Sequence, residues 1–230
     1  MVTFNGLQVS VERKRQKGVS VTLDKNGLVI VNADEDYTDE VIQNILNNHK
    51  RFFNNRIKKQ IDRDSVNYPD LNNGGTVYLL GEQYSVVRNP EVKRVHIDLD
   101  KLYLPQYFPK YQAETFFGSI LHPYVHTLTK LYMEDCWLEC SSTGLYSRLT
   151  AWGTHFDDDN SIKYNRALVF VPEDCIEYVV VHELCHSIEP NHSKKFWEEV
   201  ERILPNYKEE RQKLRAYDLH RLLQCANLIN

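Results

Sequence analysis

The sequence predicts an α+β fold, in which an antiparallel, hairpin-rich N-terminal part precedes a mainly helical part with a small sheet. Three observations lead to this prediction. Up to about residue 100, short runs of alternating apolar and polar residues are separated by turn-forming residues. From about Tyr111 onward, apolar residues recur at helical spacing. Only two further runs, 144–151 and 161–171, are typical of strands, and the turn-forming segment HFDDDN separates them.

The first part is predicted to contain a β-hairpin over residues 7–32. The runs GVSVTL and LVIVNA alternate like strands, and Asp24–Gly27 supplies the turn. Thr38 is expected to cap a helix that begins at Asp39 and continues to about residue 61. The apolar residues expected near one face of this helix are Val41, Ile45, Phe52 and Ile57. Three strand-like runs follow: TVYLLG, QYSVVRN and VKRVHIDL.

The second part is predicted to be mainly helical. A long helix over 113–139 contains Pro123, which should kink it. Further helices are expected over 172–190, 193–205 and 206–229, each opened or closed by a proline. We place a soft boundary near residue 105, giving parts 1–105 and 106–230, although the chain could form a single unit.

Composition excludes several classes of protein. The 230 residues are 42% hydrophobic and 26% charged, which is typical of globular proteins rather than disordered or collagen-like chains. The net charge of −4 gives no global basic field for nucleic acid or an anionic membrane. No apolar run approaches the ~18 residues that span a bilayer. An odd number of cysteines, five, and no apolar block near Met1 lead us to expect reduced thiols in a cytoplasmic protein.

The most informative segment is HELCHSIEPNH. His182 and His186 form the pattern H-E-x-x-H around Glu183, and His192 follows six residues later. Residues four apart lie one turn apart on one helix face, so the first two imidazoles could bind one ion. Pro190 ends the helix, and the turn could bring His192 to the same ion. We therefore predict one Zn²⁺ per chain, held by His182, His186 and His192, with Glu183 as general base.

The setting of the motif supports a buried site. The helix around it is apolar nearly all round, which predicts burial. Buried ionisable side chains are costly unless they are satisfied, and a divalent cation would satisfy all three. An alternative third ligand is a glutamate of the next helix, as in gluzincins: Glu198, Glu199 or Glu201. Metzincins are disfavoured, because Glu189 replaces their glycine and no methionine follows the motif.

The segment HELCHSIEPNHSKKFWEEVERILPNYKEERQKL resembles the YgjP-like metallopeptidase family, which is related to the SprT-like zincins. The matching positions are His182–His186, Asn191–Ser193, Phe196–Trp197 and Pro205. The runs GVSVTLDKNGLVIV and VYLLGEQYSVV fit the same family, so the resemblance covers most of the chain. One departure is the run WGTH ending at His155, where the family has a W-G-S-C-like element; His155 could approach the metal or the substrate, or be an ordinary loop residue.

The resemblance implies a zincin-like second part and a zinc-dependent metallopeptidase that hydrolyses peptide bonds through a metal-activated water. It also implies that an edge strand binds the substrate as an added strand, and Ile162–Asn165 is the candidate, with an ordinary core strand as the alternative. Candidates for a second oxyanion donor are Tyr164, Arg166, Tyr207 and Tyr217. Phe196 and Trp197 are interpreted as core aromatics, and Cys136 and Cys140 as buried free thiols.

The expected partner is a peptide or protein substrate, with no membrane. Two alternatives remain open. One is a non-catalytic, zinc-stabilised binding module, which should unfold on chelation. The other is a nucleic-acid-associated SprT-like protease, for which Arg13–Lys17 is the best basic run, although a single short run in a chain of net charge −4 favours a solvated hairpin end.

Overall fold

A computed structural model describes residues 1–24, 27–64 and 66–229, without the side chains of residues 59 and 62–64. The chain divides into two compact units, Met1–Val66 and Asn67–Asn230. The predicted turn residues Lys25 and Asn26 lie outside the described residues. Within the described ranges, no helix has both the length and the apolar character needed to cross a membrane.

The first unit contains a small sheet and two helices. Its elements are β1 (Thr3–Phe4), β2 (Leu7–Gln8), β3 (Ser10–Lys14), β4 (Val19–Leu23), β5 (Val29–Asp34), α1 (Asp39–Asn48) and α2 (Lys50–Asp64). Strands β4 and β5 pair antiparallel, with Val21 opposite Val31, so the predicted pairing of GVSVTL with LVIVNA is confirmed. Strand β3 pairs with the other side of β5 in parallel, which the hairpin prediction did not include.

The predicted single helix is two helices. The Thr38 side chain accepts a hydrogen bond from the Val41 N–H, so the predicted N-cap is confirmed. The helix ends at His49, and α2 begins at the next residue. The buried side chains are Ile42, Leu46 and Phe53, whereas Val41 and Phe52 are exposed. The predicted face was therefore partly wrong: Ile42 and Leu46, four residues apart, lie on the buried face of α1, and Phe53 belongs to α2.

The second unit begins with a mixed sheet of four strands: β6 (Thr76–Leu79), β7 (Glu82–Arg88), β8 (His96–Asp98) and β9 (Lys101–Leu104). The order is β6-β7-β9-β8; two antiparallel hairpins are joined where β7 and β9 pair in parallel. Buried residues of this sheet, such as Val86 and Leu102, belong to the same core as the later helices. The boundary between the compact units therefore falls between residues 66 and 67 of the chain, whereas the predicted boundary lies near residue 105. The separate roles of the two predicted parts stay a prediction.

A long helix and a second sheet follow. They are α3 (Lys110–Cys136), β10 (Ser142–Tyr146), β11 (Gly153–Phe156) and β12 (Ser161–Asn165). Helix α3 continues across Pro123. The strand order is β10-β12-β11, with β10 parallel and β11 antiparallel to the central β12. The predicted strands were too long, because residues 147–151 are irregular and Arg166–Phe170 form a 3-10 helix.

Four helices complete the second unit: α4 (Glu173–Cys185), α5 (Lys194–Ile203), α6 (Tyr207–Leu214) and α7 (Leu219–Cys225). The predicted last helix is split, since Asp218 caps α7 by accepting from the Arg221 N–H. The main core joins α3, α4 and the 3-10 helix, with fully buried residues such as Phe117, Leu168 and Val180. The predicted α+β class, with small sheets first and then helices around a small sheet, is confirmed.

Candidate metal centre

Helix α4 carries His182 and Glu183, and His186 caps its C-terminus. It begins after Pro172, and acidic residues in its first turn favour a helix N-terminus. As predicted, the helix is buried nearly all round; its buried residues are Cys175, Ile176, Tyr178–Val181, Glu183, Leu184 and Cys185. The rings of His182 and His186 lie 5.1 Å apart between centroids, as their spacing of one helical turn requires.

A turn after α4 brings His192 to this pair. The Glu189 N–H donates to the Cys185 carbonyl at 3.0 Å, so a further turn of the chain follows the helix before Pro190. The Nε2 atom of His192 lies 2.9 Å from Nε2 of His182. One nitrogen atom from each of His182, His186 and His192 lies within 4.8 Å of the other two. The structure thus brings together the three histidines that the sequence singled out.

The ring of His186 is oriented by the main chain. Its Nδ1 atom lies 3.2 Å from the carbonyl oxygen of Glu189. A carbonyl oxygen only accepts, so Nδ1 carries the proton of this hydrogen bond and Nε2 of the neutral ring keeps its lone pair. The Nδ1 atom of His182 makes a longer contact, 3.5 Å to the Tyr178 hydroxyl.

The ring of Phe196, in α5, packs against all three imidazoles. Its ring centroid lies 4.9 Å from that of His182, 4.6 Å from that of His186 and 4.8 Å from that of His192. The side chain is fully buried. The prediction that Phe196 is a core residue is confirmed, and the same residue fixes where the three rings can lie.

The environment keeps the two histidines of α4 neutral. Burial, together with the neighbouring imidazoles of His186 and His192, lowers the pKa of His182 to about 3. Burial also lowers the pKa of His186, although the hydrogen bond to Glu189 opposes this change. Neutral imidazole is the form that binds metal ions.

Glu183 lies beside the cluster at a cavity of about 440 Å³. Its side chain is 7% exposed, and burial raises the pKa of the carboxyl to about 8. The His155 N–H donates to Glu183 Oε2 at 3.0 Å, which favours the charged form and opposes that rise. The cavity is lined by residues of α4, by the His192 turn and by β11.

Strand β11 was missed by sequence reasoning, which interpreted WGTH and the following residues as a loop and a turn. It is an edge strand of the second sheet, and residues 153–155 line the cavity. The expectation that Ile162–Asn165 forms an edge strand is wrong, because this strand, β12, has β10 on one side and β11 on the other. An isolated glycine in a strand-like run, Gly153, was the available signal of close approach to another element.

The His155 side chain does not join the cluster of three. Its Nε2 lies 2.7 Å from Asn160 Oδ1, and its Nδ1 lies 3.1 Å from Asp157 Oδ1. The ring centroid is 6.4 Å from that of His186. The ring is thus held by the acidic turn, while the main-chain N–H of the same residue contacts Glu183.

The alternative glutamate ligands lie elsewhere. Glu198 pairs with Lys194, Glu199 with Arg202, and Glu201 with Lys208. In the part of the chain that the structure describes, the clustered metal-ligating groups are the three histidines alone. The five cysteines are free thiols; Cys175 and Cys185 are buried, whereas Cys136 and Cys140 are only partly buried.

None of the four candidates for an oxyanion donor is among the residues found to line the cavity. Tyr164 is fully buried, and its hydroxyl lies 2.9 Å from the Thr129 hydroxyl. Tyr207 stacks on Trp197 at 5.5 Å between centroids. Sequence reasoning missed Tyr178, which does line the cavity; its position one helical turn before His182 was the available signal.

The chemistry of the cluster fits a divalent cation. The Nε2 atoms of His182 and His192 lie 2.9 Å apart, and a shared cation would satisfy the lone pairs of both rings. Three histidine nitrogens with an adjacent carboxylate are the donor set of many catalytic zinc sites. The three histidines could therefore hold a metal ion.

Comparison with known proteins agrees with this geometry. The family model described as "YgjP-like, metallopeptidase domain" matches residues 17–217. The chain belongs to the YgjP-like metallopeptidase family. The resemblance seen in the sequence is thereby confirmed, and the matched region of this YgjP-like chain includes His182, Glu183, His186 and His192.

A solved structure, the crystal structure of the metallopeptidase zymogen of abylysin from Pyrococcus abyssi, is similar at 21% sequence identity with a TM-score of 0.37. The likeness covers 39% of the YgjP-like chain and 90% of the abylysin chain. No curated protein matches the sequence.

The basic run of the first unit is partly balanced by local acidic groups. Arg13 pairs with Asp39, and Lys14 lies 3.1 Å from Glu12. The association with nucleic acid that this run suggested stays a hypothesis.

Proposed function

We propose that this chain is a zinc-dependent peptidase that hydrolyses peptide bonds, with His182, His186 and His192 as the metal ligands and Glu183 as the general base. The observation that carries the proposal is the convergence of three imidazoles, with one nitrogen atom of each within 4.8 Å of the other two, beside a buried carboxylate at a cavity. Membership of a metallopeptidase family supports the same reaction class.

The three histidines would hold the ion through nitrogen atoms, as the neutral state of His182 and His186 and the convergence of the three rings favour. When bound, zinc supplies Lewis-acid chemistry, polarising a substrate carbonyl and making water more acidic. The hydrogen bond from His186 to Glu189 fixes which nitrogen faces the cluster. Phe196 restricts the rotation of all three rings by packing against them.

Glu183 would take a proton from the attacking water and pass it to the leaving amine. Its Oε2 atom is fixed by the His155 N–H, and no hydrogen-bond donor to Oε1 is present among the described residues. We assign proton transfer to Oε1 for this reason. A carboxyl shielded from bulk solvent is suited to this task, because its affinity for protons rises with burial.

The substrate proposed is an extended peptide or protein segment. The edge of β11 that is not paired with β12 lines the cavity, so a peptide could pair with the main-chain groups of that edge that do not bind Glu183. Such pairing gives affinity with little dependence on side chains. Val179 and Leu214 add apolar surface to the cavity for a neighbouring substrate residue.

The test compares wild type with Glu183→Gln. We expect the purified protein to contain close to one zinc per chain and to cleave members of an unbiased peptide library. The variant should keep its zinc, since Glu183 is not a ligand, and lose about 10²- to 10⁴-fold in kcat. Metal analysis and cleavage followed by mass spectrometry measure both. Glu173→Gln is the matched control, because it makes the same change at an exposed position of the same helix.

The outcomes separate the hypotheses. Unchanged cleavage by Glu183→Gln, with the control also active, would refute the role of Glu183. A zinc-containing wild type that cuts no peptide and unfolds on chelation would instead identify a non-catalytic, zinc-stabilised module.

A further inference from the structure

We propose that Gly153 is a positioning residue for Glu183: the absence of a side chain at this position lets β11 approach α4 closely enough to hold the carboxylate in place. The proposal rests on the proposed function for its catalytic consequence, but its geometric part stands on contacts within the chain alone.

There is no room for a side chain between position 153 and Glu183. A Cβ atom added at Gly153 would lie 2.6 Å from Glu183 Cγ, 2.7 Å from Oε1 and 2.8 Å from Cδ. Carbon atoms do not approach other heavy atoms this closely, so one group would have to move. Gly153 is not among the glycines with positive φ, which means that space rather than backbone conformation requires glycine here.

Strand β11 also provides a hydrogen bond to Glu183. The His155 N–H, two residues along the same strand, donates to Glu183 Oε2 at 3.0 Å. The His155 side chain is only 4% exposed and is held by Asp157 and Asn160. This anchoring keeps the donor in place. Strand β11 therefore restricts the position of the Glu183 carboxylate at Gly153 and binds the carboxylate through the main-chain N–H of His155.

A side chain at position 153 would displace Glu183. The atoms it would meet all belong to the Glu183 side chain, which lines the cavity, so that side chain rather than the main chain would have to move. Movement would lengthen or break the bond to the His155 N–H. A misplacement of about 1 Å in a catalytic site can cost roughly 10²-fold in rate. Gly153→Ala should therefore spare folding and damage catalysis.

The activity experiment uses the zinc-loaded, full-length protein and the best peptide from the library. Gly153→Ala should lose about 10²-fold in kcat, with KM and zinc content close to wild type. Gly144→Ala is the matched control: this glycine lies in β10 of the same sheet, and its added Cβ would first meet Lys163 Cγ at 3.5 Å, an ordinary contact. The double variant Gly153→Ala/Glu183→Gln should be no less active than Glu183→Gln alone.

A second readout does not depend on activity. In ¹⁵N-histidine-labelled protein, the amide signal of His155 reports its hydrogen bond to Glu183. We expect Gly153→Ala to move this signal in the same direction as Glu183→Ala does, whereas Gly144→Ala should leave it in place. If wild type proves inactive, the proposed function fails, but this amide signal still decides whether Gly153 positions Glu183.

If Gly153→Ala folds, three results would overturn the proposal: an unshifted His155 amide, a kcat equal to that of Gly144→Ala, or losses that add to those of Glu183→Gln. Failure of Gly153→Ala to fold is resolved by Gly153→Ala/Glu183→Ala. A folded double variant supports a specific clash with Glu183, and an unfolded one shows that the backbone itself needs glycine, which refutes the proposed role.

Discussion

Phe196 is the one side chain whose ring contacts all three clustered imidazoles, with centroid distances from 4.6 to 4.9 Å in the described structure. The ring nitrogens themselves have few fixed partners, and His186 has the clearest one. Packing therefore contributes much of the orientation of the rings. Groups that orient metal ligands typically change metal affinity by about 10- to 100-fold when they are lost.

We predict that Phe196→Leu weakens zinc binding by about 10-fold or more, because a smaller side chain lets the imidazoles rotate. Competition with a chromophoric chelator measures the dissociation constant. The matched control is Phe170→Leu, since Phe170 is also buried in the main core but packs on Phe117 rather than on the histidines. Equal affinities for the two variants would contradict this role of Phe196.

At the scale of single elements, α5 is linked to the site through its N-terminus. Ser193 caps this helix by accepting from the Phe196 N–H at 3.3 Å, and His192 directly precedes the cap. The cap therefore determines where the chain enters α5 and, with it, the position of the third imidazole. Loss of a serine or threonine cap costs about 0.5–2 kcal/mol of stability.

We predict that Ser193→Ala lowers both the free energy of unfolding, by about 1 kcal/mol, and the affinity for zinc. Thr38→Ala is the matched control, because Thr38 caps α1 in the other compact unit. This control should lose a similar amount of stability and keep its zinc affinity. Chemical denaturation and zinc titration measure the two quantities; a zinc affinity of Ser193→Ala equal to that of Thr38→Ala would argue against the link.

The elements differ in how far the sequence could predict them. The cap at Thr38 and the apolar helix around His182 have local signals, namely a hydroxyl before an apolar run and burial all round. The break at His49 has no such signal, because apolar residues continue on both sides of it. Strand β11 is equally hidden, since its short, polar segment is placed by pairing with β12. The three histidines were found by spacing, but the donor to Glu183 is a main-chain group that residue types do not reveal.

The tryptophans, which report unfolding by fluorescence, are unevenly distributed over the two compact units. All three tryptophans, Trp137, Trp152 and Trp197, belong to the second compact unit. Tryptophan fluorescence therefore follows the unfolding of the unit that contains the histidine cluster. Ligands that bind only the folded state stabilise it by mass action, by about 2.7 kcal/mol at a concentration 100 times the dissociation constant.

We predict that zinc at this concentration raises the midpoint of the fluorescence-detected melt by roughly 5 to 10 °C, and that a chelator reverses the increase. His192→Ala is the control, because loss of one proposed ligand should greatly reduce the response. Thermal melts of wild type and the control, with zinc and with chelator, measure the effect. Identical wild-type midpoints in zinc and in chelator would speak against a metal site in this unit.

The bond from the His155 main chain to Glu183 also bears on how this position can vary among relatives. Every amino acid except proline carries the same amide hydrogen, so exchanging the residue type at 155 leaves the donor intact. The departure of this chain from a W-G-S-C-like run then needs no compensating change at Glu183. Proline is excluded at this position, and replacements that lose the bonds of the His155 ring to Asp157 and Asn160 should hold the donor less firmly, whereas Gly153 is restricted by its close approach to Glu183.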